Sequence, residues 1–147
     1  MKAVIQRVTM ASVIVDGRAV GEINEGLVAL VAFEKGDDEA VAARTAEKLA
    51  HLRVFEDSGG KMNLSALDSG KEILLVPNFT VAGSTRKGHR PSFDNAMEPE
   101  RASELFDLLA NAVAGLGIKT AKGLFGAHMQ VELTNDGPVT VILERSP

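Results

Sequence analysis

Asp16-Gly17 stands between two runs of β-forming residues, and this dipeptide limits the fold more than any other pair in the chain. Asp and Gly accept the positive φ angles that a two-residue hairpin turn demands. Before it, "KAVIQRV" and "SVIVD" alternate or run apolar, with β-branched residues throughout. After it, "RAVGEI" reads as the returning strand. A chain that opens this way starts as antiparallel sheet.

The pattern continues. After Asn24-Glu25-Gly26, the apolar run Leu27 to Phe33 reads as a buried central strand. Gly36-Asp37-Asp38 then opens a helix whose face is Val41, Thr45, Lys48/Leu49 and Leu52. Arg53 to Asp57 is a short strand, and "MNLSALDSG" a connecting segment with one helical turn. Glu72 to Val76 is a second buried strand, followed by a loop from Gly83 to about Glu98. Pro99 suits the first turn of a second helix, striped by Leu105, Leu109, Ala112, Val113 and Leu116. "IKTAKG", "MQVELT" and "VTVILE" return to β, and Asn135-Asp136-Gly137-Pro138 between the last two reads as a hairpin turn. The expected fold is α+β: a curved, largely antiparallel, barrel-like β-sheet with two main α-helices on one face. With no repeat or linker, residues 1–147 form one domain.

Composition narrows the function. The chain has 147 residues, 45% apolar and 24% charged, and no apolar run nears the ~20 residues of a membrane span. Lys2 to Val8 reads as a strand and Arg7 interrupts any signal-peptide apolar region, so no signal peptide is expected and the cytoplasm is the expected compartment. The absence of cysteine excludes disulfides, thiolate zinc sites and a cysteine nucleophile. A net charge of −4 gives no global field for DNA, and leaves one basic cluster, "STRKGHRPS", with Arg86, Lys87, His89 and Arg90. That cluster is either a solvated loop or a phosphate contact. It has P-loop-like glycine spacing, but His89 and Arg90 stand where Lys and Ser/Thr belong, which argues against nucleotide hydrolysis. His51, His89 and His128 lack metal-ligand spacing, so no metal is expected.

The remaining chemistry lies in "LLVPNFTVAG". A buried strand delivers Asn78, Phe79 and Thr80 to its end, and Pro77 breaks the ladder there. Beyond the break, the N–H groups of Phe79 and Thr80 are candidates to hold an oxyanion, with the Thr80 hydroxyl and Asn78 amide beside them. The competing reading is a plain strand end with Phe79 in the core.

Taken together, "MKAVIQRV..ASV.VDG", "EKGD", "KMNLS", "FT" after "LLV", "RKGHRPSF" and "FGAHMQVELTNDGPVT" resemble the D-aminoacyl-tRNA deacylase (D-tyrosyl-tRNA deacylase) family over Met1 to about Glu144. The resemblance implies a cytoplasmic homodimer that hydrolyses the ester joining a D-amino acid to the terminal ribose of tRNA. It also implies release of glycine mischarged on tRNA, without metal or organic cofactor. It places catalysis at the Phe79-Thr80 region, with the ribose 2′-hydroxyl helping water; Thr80 itself reads as positioning substrate, since no histidine or carboxylate is evidently placed to activate it as a nucleophile. Gly137-Pro138 would form a cis peptide that enters the partner's active site and excludes L side chains with its carbonyls. Phe125 and Met129 either line the pocket for the terminal adenosine or aminoacyl group or fill the core. Arg86, Lys87 and Arg90 would meet acceptor-stem phosphates. The family's usual Ser-Gln-Phe-Thr is Pro77-Asn78-Phe79-Thr80 here, so Asn78 keeps only a shortened amide and Pro77 loses a hydroxyl and an N–H. Those departures leave open a deacylase of relaxed chiral selectivity, a non-catalytic module that binds RNA ends, or a purely structural dimeric domain.

Overall fold

A computed structural model describes residues 1–147. The N-terminal β-branched run forms one strand, β1 (Lys2–Val15), where the sequence suggested two. It is the spine of the sheet. Along one edge it pairs antiparallel with β3 (Gly26–Ala32), from Lys2↔Ala32 to Val8↔Gly26, and then with β2 (Arg18–Ile23). The turn between β1 and β2 has φ 50° at Asp16 and 76° at Gly17, the left-handed pair that a type I′ hairpin requires. Along its other edge β1 pairs with the last long strand.

Helix α1 (Glu39–His51) begins where the Asp38 carboxylate accepts the Val41 N–H at 2.9 Å, an N-cap. Strands β4 (Phe55–Glu56) and β5 (Met62–Leu64) form a small separate ladder, and helix α2 (Ala66–Ser69) follows, opened by a Ser65/Asp68 capping box. Strand β6 (Glu72–Pro77) then pairs parallel with β3. A 3₁₀ turn (Phe79–Ala82) leads through the basic loop to helix α3 (Pro99–Gly115). Strand β7 (Thr120–Lys122) pairs parallel with β6, and β8 (Gln130–Glu144) returns along β1. β3 and β6, the two continuous apolar runs, pair parallel with each other, which suits strands covered on both faces.

Alternation in β6 explains the two cores. Ile73 and Leu75 face the helices with Leu49, Leu105, Phe106 and Leu109, while Leu74 and Val76 join Val8, Val13, Ile23 and Val28 inside the curled sheet. Each such buried side chain contributes about 1.5–3 kcal/mol. The sheet nearly closes on itself: a Cβ on Gly21 of β2 would stand 2.7 Å from the Lys122 carbonyl oxygen of β7.

Asn135-Asp136-Gly137-Pro138 is not a hairpin turn. Both halves of β8 pair with β1 in the same antiparallel sense, through Val131↔Val13 on one side and Val141↔Ile5 on the other. Between Val8↔Asn135 and Gln6↔Thr140, the residues Asp136, Gly137, Pro138 and Val139 stand opposite Arg7 alone. The segment is a large bulge that leaves the strand and rejoins it. Asn135 closes it, accepting the Val139 N–H on Oδ1 at 2.9 Å and donating from Nδ2 to the Val139 carbonyl at 3.2 Å.

Candidate active site

Strands β3 and β6 run parallel and end together, with Val31 paired to Pro77 and the Asn78 N–H donated to the Val31 carbonyl at 2.8 Å. The outer end of parallel strands is where α/β sheets favour ligands. A cleft of about 600 Å³ opens there. Pro77 fits because the ladder with β7 stops at Leu75↔Lys122, so its missing donor has no strand to face.

Past Pro77 the chain tightens into the 3₁₀ turn. Val81 donates to the Asn78 carbonyl at 3.2 Å and Gly83 to the Thr80 carbonyl at 2.9 Å. The Phe79 and Thr80 N–H groups belong to the first turn, for which a helix supplies no acceptor of its own. The Thr80 hydroxyl donates to the Asn78 side-chain oxygen, which leaves its own lone pairs available as acceptors. Phe79 is 59% exposed, so the plain strand end with Phe79 in the core does not hold.

The structure brings Asn78, Phe79, Thr80, Phe125 and Met129 to one cleft. Phe125 and Met129 stand both at a core and at the cleft wall. Each is half-buried against a core, Phe125 with its ring 6.4 Å from that of Phe106, and each also lines the cleft. His128 and Met97 line it too, and neither was singled out by sequence. For His128 the available signal was its place between Phe125 and Met129.

No carboxylate lines the cleft, and His128 is the one histidine among its lining residues. The carboxylates held below their usual range lie elsewhere, Glu25 by a hydrogen bond from Lys71 and Asp68 by the Ser65 N–H. No group of three or more His, Cys, Asp or Glu is arranged to hold a metal ion, and no helix is long and apolar enough to cross a membrane.

The other candidates lie apart. Arg86, Lys87 and Arg90 are exposed on a loop closed by paired Ser84–Ser92 backbone bonds of 2.8 and 2.9 Å. Gly137-Pro138 is a cis peptide, exposed, and absent from the cleft wall. Its bulge lies opposite Arg7, which pairs with Leu27, and the cleft begins at Val31. That separation is roughly 13 Å along β3.

The sequence model described as D-Tyr-tRNA(Tyr) deacylase matches residues 4–144. A D-aminoacyl-tRNA deacylase of Pelobacter propionicus is 55% identical over 99% of this chain and 100% of its own length. One of Geotalea uraniireducens is 53% identical over 98% of this chain and 93% of its own. Among solved structures, the c-Myc DNA Unwinding Element Binding Protein is 38% identical with a TM-score of 0.93 over the whole of both chains. A probable eukaryotic D-amino acid tRNA deacylase has a TM-score of 0.84 over 97% of each chain, and at 15% identity it supports the fold alone. By matched span and by identity, the chain belongs to the D-Tyr-tRNA(Tyr) deacylase family.

Proposed function

We propose that this protein is an editing hydrolase that cleaves the ester of D-aminoacyl-tRNA, and of glycine mischarged on tRNA, and leaves L-esters intact. The observation that carries the reading is the Asn78–Thr80 turn, whose residues line a cleft without carboxylates and whose first-turn N–H groups have no acceptor within the turn. Water attacks the ester carbonyl, and the oxyanion that forms is held by the Phe79 and Thr80 N–H groups. Such donors contribute about 3–4 kcal/mol each. The bond to the ribose oxygen then breaks, the proton from water ends on that oxygen, and free amino acid and tRNA leave. The substrate's 2′-hydroxyl positions the water, and Thr80 positions the ester.

Gly137-Pro138 is exposed on its own subunit and lies away from that subunit's cleft, so a second copy of the chain supplies it. In that homodimer its carbonyls face the chiral carbon, where an L side chain collides and a D side chain points away. Rejection by backbone sterics needs no contact with the side chain it accepts, which suits an enzyme for many D-amino acids. Phe125 and Met129 hold the terminal adenosine or aminoacyl group. The reaction belongs in the cytoplasm, with the 3′ acceptor end of tRNA as partner and no cofactor.

The deciding assay follows ester loss from D-Tyr-tRNA and L-Tyr-tRNA. Loss of the D-ester alone is expected. Binding of the D-ester without release would instead support an RNA-end binding module disabled by Pro77 and Asn78, and loss of both esters would mark relaxed selectivity. Thr80→Ala should slow the D-ester reaction by about 10–100-fold without abolishing it, the scale of a lost positioning contact. A covalent aminoacyl adduct on the wild type, or full loss in His128→Ala, would overturn the substrate-assisted route.

Arg86, Lys87 and Arg90 contact acceptor-stem phosphates in this reading. Reversing all three charges should raise KM and lower the slope of log(kcat/KM) against log salt by roughly 2–3. An unchanged slope would remove them from the tRNA contact.

A further inference from the structure

We propose that Phe93, with the outer surface of Phe79, is a stacking subsite for the nucleobase that precedes the aminoacylated nucleoside, an inference that rests on the hydrolase reading. Phe79 is 59% exposed and Phe93 37% exposed. Two aromatic side chains left in water side by side are unusual in a chain with only 4% aromatic residues. Their rings meet edge to face, with centroids 5.3 Å apart and planes at 73°. That arrangement holds both rings while leaving ring surface open on the solvent side.

The pair bridges two parts already assigned to the substrate. Phe79 lines the cleft and belongs to the turn that carries Thr80. Phe93 follows Ser92, whose paired bonds with Ser84 close the basic loop. The Phe93 ring is fitted closely to that turn: a Cβ on Gly83 would stand 2.8 Å from Phe93 Cε1 and 2.9 Å from the Thr80 carbonyl oxygen. Arg86, Lys87 and Arg90 enter none of the ion pairs of the fold and remain free to meet an anion.

From the cleft outward, the chain therefore presents the catalytic turn, an aromatic surface and then positive charge. A nucleotide presents a base with a π face and a phosphate, and matches the outer two. Stacking accepts any base, so the subsite recognises an unpaired nucleotide at this position without reading its identity. An apolar peptide segment would use the rings but not the three cations beside them.

The test compares kcat/KM for the D-tyrosyl ester of adenosine with that of the dinucleotide cytidylyl-adenosine. Wild type should favour the dinucleotide by about tenfold, the scale of one stacked base. In Phe93→Ala that preference should fall at least about fivefold, and Phe93→Trp should keep it. A preference that survives Phe93→Ala overturns the proposal. So does an equal loss on both esters that Phe93→Trp does not rescue, since Phe93 would then only brace the loop. If wild type cleaves neither ester, the hydrolase reading falls, and the subsite is judged by anisotropy of a labelled, uncharged CpCpA oligonucleotide. Binding weakened by Phe93→Ala and kept by Phe93→Trp supports it, and no binding or no change sinks it.

Discussion

Replacing Gly137 by alanine should cut the ratio of D- to L-ester turnover by about tenfold or more, the scale on which displaced reacting groups lose rate, while the fold survives. Gly137 has φ +149°, a conformation that L side chains rarely adopt. A Cβ there would lie 2.6 Å from the Val139 backbone nitrogen and 2.8 Å from Val139 Cγ2. The nearest atom is backbone, so the bulge itself has to shift, and the backbone strain is worth about 1–3 kcal/mol. On either side of the bulge β8 keeps its ladder with β1, which confines the damage. For a domain of this size the melting temperature should fall by roughly 3–10 °C. Selectivity should move further, because the proposed gate depends on where two carbonyls stand, to within a fraction of an ångström. An unchanged D/L ratio beside a lowered melting temperature would show that this bulge is not the gate.

The same bulge marks what local sequence could and could not reveal. Asn, Asp, Gly and Pro carry turn chemistry in any context, so the segment read as a chain reversal. Whether such a segment reverses the chain or bulges from it is decided by its partner strand. That partner is β1, far away in sequence, and its pairing continues past both ends of the bulge. The first strand likewise read as two runs, "KAVIQRV" and "SVIVD", yet β1 is continuous: the β8 ladder skips Thr9 at a register shift and resumes at Met10↔Thr134. Features with a local cause were legible: the Asp16-Gly17 turn, the Val41–Thr45–Leu49 face of α1 and the Leu105–Leu109–Val113 stripe of α3. Asn78, Phe79 and Thr80 were legible as well, because Pro77 announces the end of a ladder. His128 and Met97 were not, since each reaches the cleft from a connecting segment whose path only the folded sheet determines.

Arg7 should prove the residue that holds this gate to the body of the molecule, and Arg7→Met should destabilise the protein by about 3 kcal/mol. Arg7 is the one β1 residue opposite the bulge, and it is only 7% exposed. Its Nε donates to the Asp136 carbonyl at 2.9 Å, and an η nitrogen donates to the Val54 carbonyl at 2.7 Å. The Asp136 carboxylate stands 3.5 Å from the same Nε. Hydrogen bonds from a charged donor are worth about 1.5–3 kcal/mol each, and methionine supplies neither while leaving both carbonyls without their donor. Lysine keeps the charge, but as a point donor it lacks the rigid fork that spans two acceptors, so Arg7→Lys should recover only part of the loss. The informative measurement is hydrogen exchange at Val139, whose N–H is bonded inside the bulge to Asn135 Oδ1. In Arg7→Met that amide should exchange much faster, while Val131 and Val141 in the flanking ladder change only as global stability does. The D/L ratio should fall with it, because in the proposed homodimer a loosened bulge no longer fixes its carbonyls against the partner's cleft. If Val139 keeps step with its flanking ladder, the Asn135 bonds alone hold the bulge, and Arg7 serves the fold without serving selectivity.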